Sequence, residues 1–135
     1  MADSPLNVGS HDWFTAYIAA FNARDYPGFA AYYAPDVEFF GQAARLTGRD
    51  AIVEFYRGIH EQVLETVEVL AFAQGHNMVA AELLTTLVAK ADLPDFPNGA
   101  MARGEQRQSR NFAWYDIANG QFTRVRTANF WRSGR

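Results

Sequence analysis

The sequence contains a tyrosine and a histidine at a spacing that could support proton transfer. Tyr56 and His60 are four residues apart on a predicted helix, so their side chains can touch. Histidine is the side chain best suited to shuttling protons near neutral pH. The alternative is that His60 sits at the edge of its helix and takes no part in a reaction.

Glu82 is the second candidate, because it lies within the apolar run 79–84. Facing an interior, its carboxylate would lose hydration, which favours the protonated form and suits a general base. Facing outward, it would pair with an arginine of a neighbouring strand, as carboxylates removed from water usually do. Strand alternation alone leaves both alternatives open.

Two polar residues of the last predicted strand, Thr127 and Asn129, share a face with Val125 and Trp131. They can donate and accept hydrogen bonds with a ligand but cannot serve as bases. We therefore expect them to be polar contacts of a pocket.

Metal, thiol and cofactor chemistry have no support in the sequence. It has no cysteine, and His11, His60 and His76 lack the spacing and the acidic partners of a metal site. No glycine-rich phosphate loop or nucleophile elbow is present either. We expect no metal and no cofactor.

Composition favours a small, soluble protein with a large aromatic core. The 135 residues include eleven phenylalanines, six tyrosines and three tryptophans, which could fill a core or line a ligand pocket. No signal peptide or membrane-length apolar run is apparent, so we expect a cytoplasmic protein that does not bind membranes.

Charge is unevenly distributed along the chain. Residues 1–102 carry five basic and thirteen acidic groups, whereas residues 103–135 carry seven basic and two acidic groups, which sums to the net charge of −3. The basic segment could bind an anion or a nucleic acid. Because no nucleic-acid motif accompanies it, we expect its arginines to pair with acidic neighbours such as Glu68 and Glu82, or across a dimer, and expect no nucleic-acid partner.

Three helices are predicted in the first half of the chain. The first covers 12–22, with Ser10 as its cap. Asp25 caps the second, which has Pro27 in its first turn and ends at the Ala34-Pro35 step. The third is opened by a Thr47-x-x-Asp50 capping box. Its inward stripe is Ile52, Phe55, Tyr56, Ile59 and Val63.

Strands are predicted at 37–40, 65–73, 78–92, 106–117 and 121–132. Asn119-Gly120 is a hairpin signal, and the loop 93–105 is long enough to reach over a pocket as a lid. Helices followed by an antiparallel meander are typical of the α+β class. We expect one domain over 1–135, with 1–11 a loose N-terminal arm.

Four phrases carry a resemblance to a known superfamily. They are Ala-Tyr-Ile-Ala-Ala-Phe-Asn-Ala-Arg-Asp (16–25), Tyr-Ala-Pro-Asp-Val-Glu-Phe (33–39), Gly-Arg-Asp-Ala-Ile-Val-Glu-Phe-Tyr (48–56) and Asn-Gly-Gln-Phe-Thr-Arg-Val (119–125). With the element order, they make residues 13–131 resemble the nuclear transport factor 2-like superfamily, in particular its SnoaL-like and ketosteroid isomerase-like members. The resemblance implies a cone-shaped barrel: three helices packed on a curved, mostly antiparallel sheet that encloses an apolar pocket.

The resemblance also implies roles for three tyrosines. A tyrosine of the first helix donates a hydrogen bond to the substrate oxyanion in ketosteroid isomerase-like proteins, and Tyr17 matches it. Tyr33, which would end the second helix, and Tyr56 match two further tyrosines that can form a hydrogen-bonded chain behind it. Such a chain would polarise the leading phenol. The alternative is that Tyr17 is a core residue.

The catalytic carboxylates of the superfamily are not matched. The positions of its two ketosteroid isomerase acids fall on Phe39 and Phe112, and the acid/base position of SnoaL-like cyclases falls on Thr127. Ketosteroid isomerisation and a standard SnoaL-type cyclisation are therefore disfavoured.

Two functions follow as expectations. One is an isomerase, dehydratase or cyclase acting on a small apolar cyclic or aromatic molecule, with Tyr17 as oxyanion donor and Glu82 or His60 as base. The other is a non-catalytic binding or dimerisation module with the same pocket. We expect the ligand to contact Trp13, Tyr33, Phe39, Tyr56, Phe112, Thr127 and Asn129. The resemblance further implies a homodimer formed through the outer face of the sheet, along the row Phe122, Arg124, Arg126, Ala128, Phe130 and Arg132.

Overall fold

Helices occupy the first half of the chain and long strands the second. A computed structural model describes residues 6–41, 44–97 and 99–133. Its elements are α1 (His11–Asn22), α2 (Tyr26–Ala30), β1 (Tyr33–Phe40), β2 (Arg45–Thr47), α3 (Arg49–Gln62), β3 (Val63–Gly75), β4 (Met78–Ala89), β5 (Gln106–Ala118) and β6 (Gln121–Arg132).

The described strands form one six-stranded sheet in the order β2-β1-β6-β5-β4-β3. Neighbours are antiparallel except β1 and β6, which run parallel. The predicted α+β cone is confirmed, with three helices on a mixed sheet. Because β2 and β3 are the two edges, the sheet is open and does not close into a barrel.

The helices cover one face of the sheet, which we call the inner face; the opposite side is the outer face. α1 contributes the stripe Trp13, Phe14, Tyr17, Ile18 and Phe21, all buried. Val79, Ala113 and Val125 meet it from the inner face. Burial of a large apolar side chain stabilises a fold by about 1.5–3 kcal/mol, so this layer fixes where α1 sits.

Two predicted caps are confirmed and one is wrong. The Ser10 hydroxyl accepts a hydrogen bond from the Trp13 amide, and the Asp25 carboxylate accepts one from the Gly28 amide. The third helix is instead capped by Gly48, at φ +97°, with no side-chain hydrogen bond. Thr47 is unavailable as a cap because it ends β2, paired with Glu38 of β1.

The structure corrects other boundaries. α2 ends at Ala30, so Tyr33 begins β1 rather than ending a helix. The parallel pairing of Tyr33 with Phe122 explains this, since it commits the tyrosine to the sheet. β2 was not predicted, because its three residues are too few to produce a visible alternation. The remaining strands differ from prediction by at most three residues at each end.

Irregular pairing in β5 and β6 changes which side chains face outward. Register shifts lie at Asp116/Ile117 and at Arg110/Asn111. The first leaves Phe122 fully buried on the inner face. The second pairs Arg132 with Ser109, which has the same inward phase as Asn111. A β-bulge adds a residue to one strand and so reverses the alternation beyond it. The predicted outer row is therefore wrong at both of its ends.

The loop after β4 packs against the end of the cone. Leu93 and Met101 form an isolated β-bridge. Phe96 and Met101 are buried against Val63 and Ala89. The Arg107 guanidinium donates to the Gly99 and Ala100 carbonyl oxygens, which ties the loop to β5.

The predicted N-terminal arm is only partly described. Residues 1–5 lie outside the described residues. Gly9 is buried, and His11 already belongs to α1.

Candidate functional site

A small cavity lies between the inner face of the sheet and the helices. Its volume is about 80 Å³. For comparison, a cavity of roughly 150 Å³ holds benzene, so a ring-sized ligand would need the surrounding side chains to move. The polar groups that line it are Tyr17, Tyr56, Glu65, Thr85, Asn111, Tyr115 and Thr127.

Tyr17 is the centre of a buried tyrosine cluster. Its hydroxyl is hydrogen-bonded to the Tyr33 hydroxyl, which lies behind it at the start of β1. Tyr115, on β5, packs edge-on against the Tyr17 ring, with ring centroids 5.9 Å apart. A phenol oxygen can accept two hydrogen bonds and donate one. Either hydroxyl of the Tyr17–Tyr33 pair can be the donor, and the Tyr17 O–H is available to a ligand when Tyr33 donates.

Burial keeps these phenols protonated. It raises the pKa of Tyr17, Tyr33 and Tyr56 well above the ordinary value, and it raises the pKa of Tyr115 as well. The cluster consequently offers neutral donors, not phenolates, at physiological pH.

Tyr56 approaches the cavity from α3. Burial is the main reason for its raised pKa, and the charge of Glu65 raises it further. Its ring packs edge-on to Phe21, with centroids 5.0 Å apart. Among the described residues, no hydrogen bond joins the Tyr56 hydroxyl to Tyr17 or Tyr33, so the predicted three-tyrosine chain is reduced to the Tyr17–Tyr33 pair.

Glu65 is the carboxylate that lines the cavity. Its Oε1 lies 3.0 Å from Nε2 of His60, and the two side chains are 12% and 4% exposed. On the other side of the imidazole, Nδ1 lies 2.7 Å from the Tyr26 hydroxyl. Since a carboxylate only accepts, Nε2–H of a neutral His60 donates to Glu65 while Nδ1 accepts from Tyr26. The result is a directed series of hydrogen bonds that ends at Glu65.

Two residues expected in the pocket lie on the opposite face of the sheet. Glu82 occurs on the outer face, which is the second of the two alternatives for it, and no ion pair with a described residue involves it. Phe112 is 57% exposed and stacks on Phe130, with ring centroids 4.4 Å apart. The prediction that Phe112 faces the pocket is wrong by one residue. Its neighbour Asn111 is buried and faces the cavity.

The other predicted contacts are distributed around the concave side. Phe39, Tyr56 and Thr127 line the cavity with Tyr17. Trp13 is buried against Phe122 in the core and is not among the lining residues. Asn129 lies one inward position beyond Thr127, in an adjoining groove.

Sequence reasoning missed Glu65, Tyr115 and Asn111. Glu65 was assigned to the start of a strand, and no pattern signalled that this strand begins directly after α3. Tyr115 and Asn111 were detectable in principle, since both share the inward phase of Ala113 in β5. A strand has two possible phases, and which of them faces inward can be decided only when one inward residue of the strand is known.

No described group of three or more His, Asp or Glu side chains converges in a way that could hold a metal ion. No described helix is long and apolar enough to cross a membrane.

A sequence model of the SnoaL-like domain matches residues 14–125, most of the chain. This protein belongs to the SnoaL-like domain family. The predicted membership of the nuclear transport factor 2-like superfamily is thereby confirmed. No curated protein matches the sequence significantly.

Solved structures share the fold of this SnoaL-like protein. A proposed polyketide cyclase from Pseudomonas putida KT2440 is 25% identical, with a TM-score of 0.77 over 92% of each chain. Two others, each 14% identical, show the fold alone. One is a protein of ketosteroid isomerase-like fold from Catenulispora acidiphila DSM 44928, in complex with trimethylamine (TM-score 0.70, covering 88% of this chain and 85% of that one). The other is an LEH-like epoxide hydrolase from M. tuberculosis (TM-score 0.69, 86% and 78%).

Within this SnoaL-like domain, two of the unmatched acid positions do face the cavity. Phe39 and Thr127 both line it, and neither can ionise. The carboxylate that reaches the cavity comes instead from β3, through Glu65.

Proposed function

We propose that this protein is a cofactor-independent acid–base enzyme of the isomerase, dehydratase or cyclase type. Its substrate would be a small, apolar cyclic or aromatic carbonyl compound. The observation that carries the proposal is the meeting of one carboxylate, Glu65, with the phenols Tyr17 and Tyr56 at a single cavity.

Glu65 is the proposed base. Its carboxylate removes a proton from the carbon next to the carbonyl. The C–H electron pair then forms a carbon–carbon double bond, and the π pair of the carbonyl moves onto its oxygen to give an enolate. The proton, held on Glu65, then returns to another carbon or to the departing oxygen. A positioned general base of this kind contributes about 10²–10⁴-fold to rate.

Tyr17 and Tyr56 are the proposed donors to the enolate oxygen. Because burial raises the pKa of both phenols, each keeps its proton in the ground state and can donate it in a hydrogen bond as charge develops. Tyr33 and Tyr115 act on Tyr17 as positioning residues.

His60 and Tyr26 are proposed to orient the base. The hydrogen bond from Nε2–H holds Glu65 at 3.0 Å, and the Tyr26 hydroxyl fixes the imidazole tautomer from the other side at 2.7 Å. His60 is therefore assigned a positioning role, which is neither the proton shuttle nor the uninvolved helix-edge residue considered from sequence.

Hydrogen–deuterium exchange is the direct test. The protein is incubated in D₂O with cyclic enones and β-keto compounds, and deuterium in the recovered compounds is measured by mass spectrometry. Exchange above the buffer rate that is lost in Glu65→Gln supports the proposal. Exchange equal to buffer for every compound that stabilises the protein against heat overturns it.

A binding module without turnover is the second candidate. It is favoured by Phe39 and Thr127, which occupy cavity positions where the superfamily has carboxylates. Thermal stabilisation by the same compounds without exchange would favour this candidate, with Tyr17, Thr127 and Asn111 as hydrogen-bonding contacts.

We also propose a homodimer formed through the outer face. Phe112, Trp114, Phe130 and Trp131 are exposed there. Acidic Glu68 and Glu82 lie on the β3–β4 side of the sheet, and arginines such as Arg126 lie on the β5–β6 side. In a two-fold arrangement the acidic half of one copy can meet the basic half of the other.

A further inference from the structure

A larger groove adjoins the cavity on the concave side. Its volume is about 590 Å³, and it lies between the loop after β4 and the ends of β5 and β6. One side is apolar, with Leu87, Phe96 and Pro97. The other side is polar, with Ser109, Asn129 and Arg132.

The side chains that line the groove carry a net charge of +1. Arg107 and Glu105 form an ion pair at 3.0 Å. The Arg107 guanidinium also donates hydrogen bonds to carbonyl oxygens of the loop. Arg132 also lines the groove, and no hydrogen bond or ion pair to another described residue involves its guanidinium. The two arginines and one glutamate sum to +1, which suits a monoanion. A guanidinium binds a carboxylate through two parallel hydrogen bonds.

The groove continues the cavity along the same strands. On β6, Thr127 lines the cavity and Asn129 lines the groove. On β5, Asn111 lines the cavity and Ser109 lines the groove. Each pair is two residues apart, which is roughly 6.5–7 Å along a strand. A single molecule of modest length can therefore occupy both the cavity and the groove.

We infer that the ligand is an amphipathic monocarboxylate. Its apolar ring occupies the cavity at Tyr17 and Glu65, and its carboxylate binds Arg132 at the far end of the groove with the help of Ser109. This inference rests on the proposed function, because it places the ring at the same site, and it adds the anionic group to the substrate class.

The probes are phenylalkanoic acids with two to six methylene groups, each compared with its primary amide by isothermal titration calorimetry. The amide keeps the shape of the acid and removes the charge. We expect the best acid to bind about tenfold more tightly than its amide, since a hydrogen bond to a charged group is stronger than a neutral one. We also expect a preferred chain length within the series.

Arg132→Gln is the test variant, and Arg110→Gln is its matched control. Arg110 lies on the neighbouring strand, stacks over Trp131 and points to the other face, so the control removes the same charge outside the groove. We expect Arg132→Gln to bind acid and amide equally and Arg110→Gln to keep the preference. An acid preference that survives in Arg132→Gln, or that is absent from the unmodified protein, overturns the inference. So does failure of every acid to bind at millimolar concentration.

Failure here is distinguishable from failure of the proposed reaction. The acid preference is measured by heat of binding and should persist in Glu65→Gln, whereas proton exchange should not. Deuterium exchange without any acid preference would retain the proposed function and remove the carboxylate from the substrate class.

Discussion

Nε2 of His60 lies 3.0 Å from Oε1 of Glu65, across the point where α3 ends and β3 begins. The two residues are five positions apart, and both are nearly excluded from water. An isolated carboxylate would be costly in such a place, because burial of an unpaired charge is strongly unfavourable. The hydrogen bond from His60 makes a buried Glu65 tolerable at the edge of the cavity.

Glu65→Gln should lower the deuterium-exchange rate about 10²–10⁴-fold, because the amide keeps the hydrogen bond from His60 but cannot take a proton. Glu68→Gln is the control, since Glu68 is an exposed residue of the same strand. Exchange rates within twofold of each other in the two variants would rule out Glu65 as the base.

Tyr17→Phe should reduce the exchange rate about 10²–10³-fold, the usual effect of losing one oxyanion donor. Tyr32→Phe is the matched control: it lies near the same core but does not line the cavity. Initial rates at saturating substrate separate the two variants. Equal rates would reduce Tyr17 to a packing role.

The free energy of unfolding should fall as the pH rises above about 10. Folding raises the pKa of Tyr17, Tyr33, Tyr56 and Tyr115, so above the ordinary tyrosine pKa of about 10 the unfolded chain loses protons that the folded chain keeps. The unfolded state then binds fewer protons, and stability decreases by about 1.4 kcal/mol per pH unit for each such tyrosine.

Urea titrations between pH 9 and 11 measure this slope. Tyr115→Phe should remove one tyrosine's share of it, whereas Gln121→Ser, which exchanges one neutral side chain for another, should leave it unchanged. A free energy that stays flat above pH 10 would mean that the phenols ionise as readily in the folded state as in water.

Arg126→Glu should weaken self-association, measured by sedimentation velocity, because it places a negative charge where the proposed dimer needs a positive one. Arg103→Glu makes the same charge change in the exposed loop outside the outer face. The dimer proposal fails if the two variants and the parent protein sediment alike.

Gly48→Ala should destabilise the fold by about 1–2 kcal/mol, because Gly48 adopts φ +97° at the start of α3, a conformation that disfavours a Cβ. Gly58→Ala, inside the same helix with open space around it, should instead stabilise by up to about 1 kcal/mol. Chemical denaturation of both variants checks the opposite signs.

The elements were largely predictable, because their signals are local. The apolar stripe of α1 and the caps Ser10 and Asp25 depend on neighbours within four residues. The errors occur where a distant partner decides the structure. Tyr33 joins the sheet because Phe122 pairs with it, and Thr47 is drawn into β2 by Glu38.

The site was predictable where it depends on a helix and not where it depends on strand phase. Tyr17 and Tyr56 reach the cavity as expected from their helices. Phe112 was assigned inward although Asn111 is the inward residue, and strand alternation allows either choice until one contact is known. Glu65 was missed because its position depends on where a strand begins.

The direct passage from Gln62 of α3 to Val63 of β3, with no loop between them, makes this junction sensitive to chain length. One extra residue inserted there would turn every following side chain of β3 to the opposite side, including Glu65. Elsewhere, surface turns absorb insertions readily. Relatives that gain or lose a residue at this junction should have exchanged the carboxylate for a different group, and a family of pockets with different chemistries could arise from that single change.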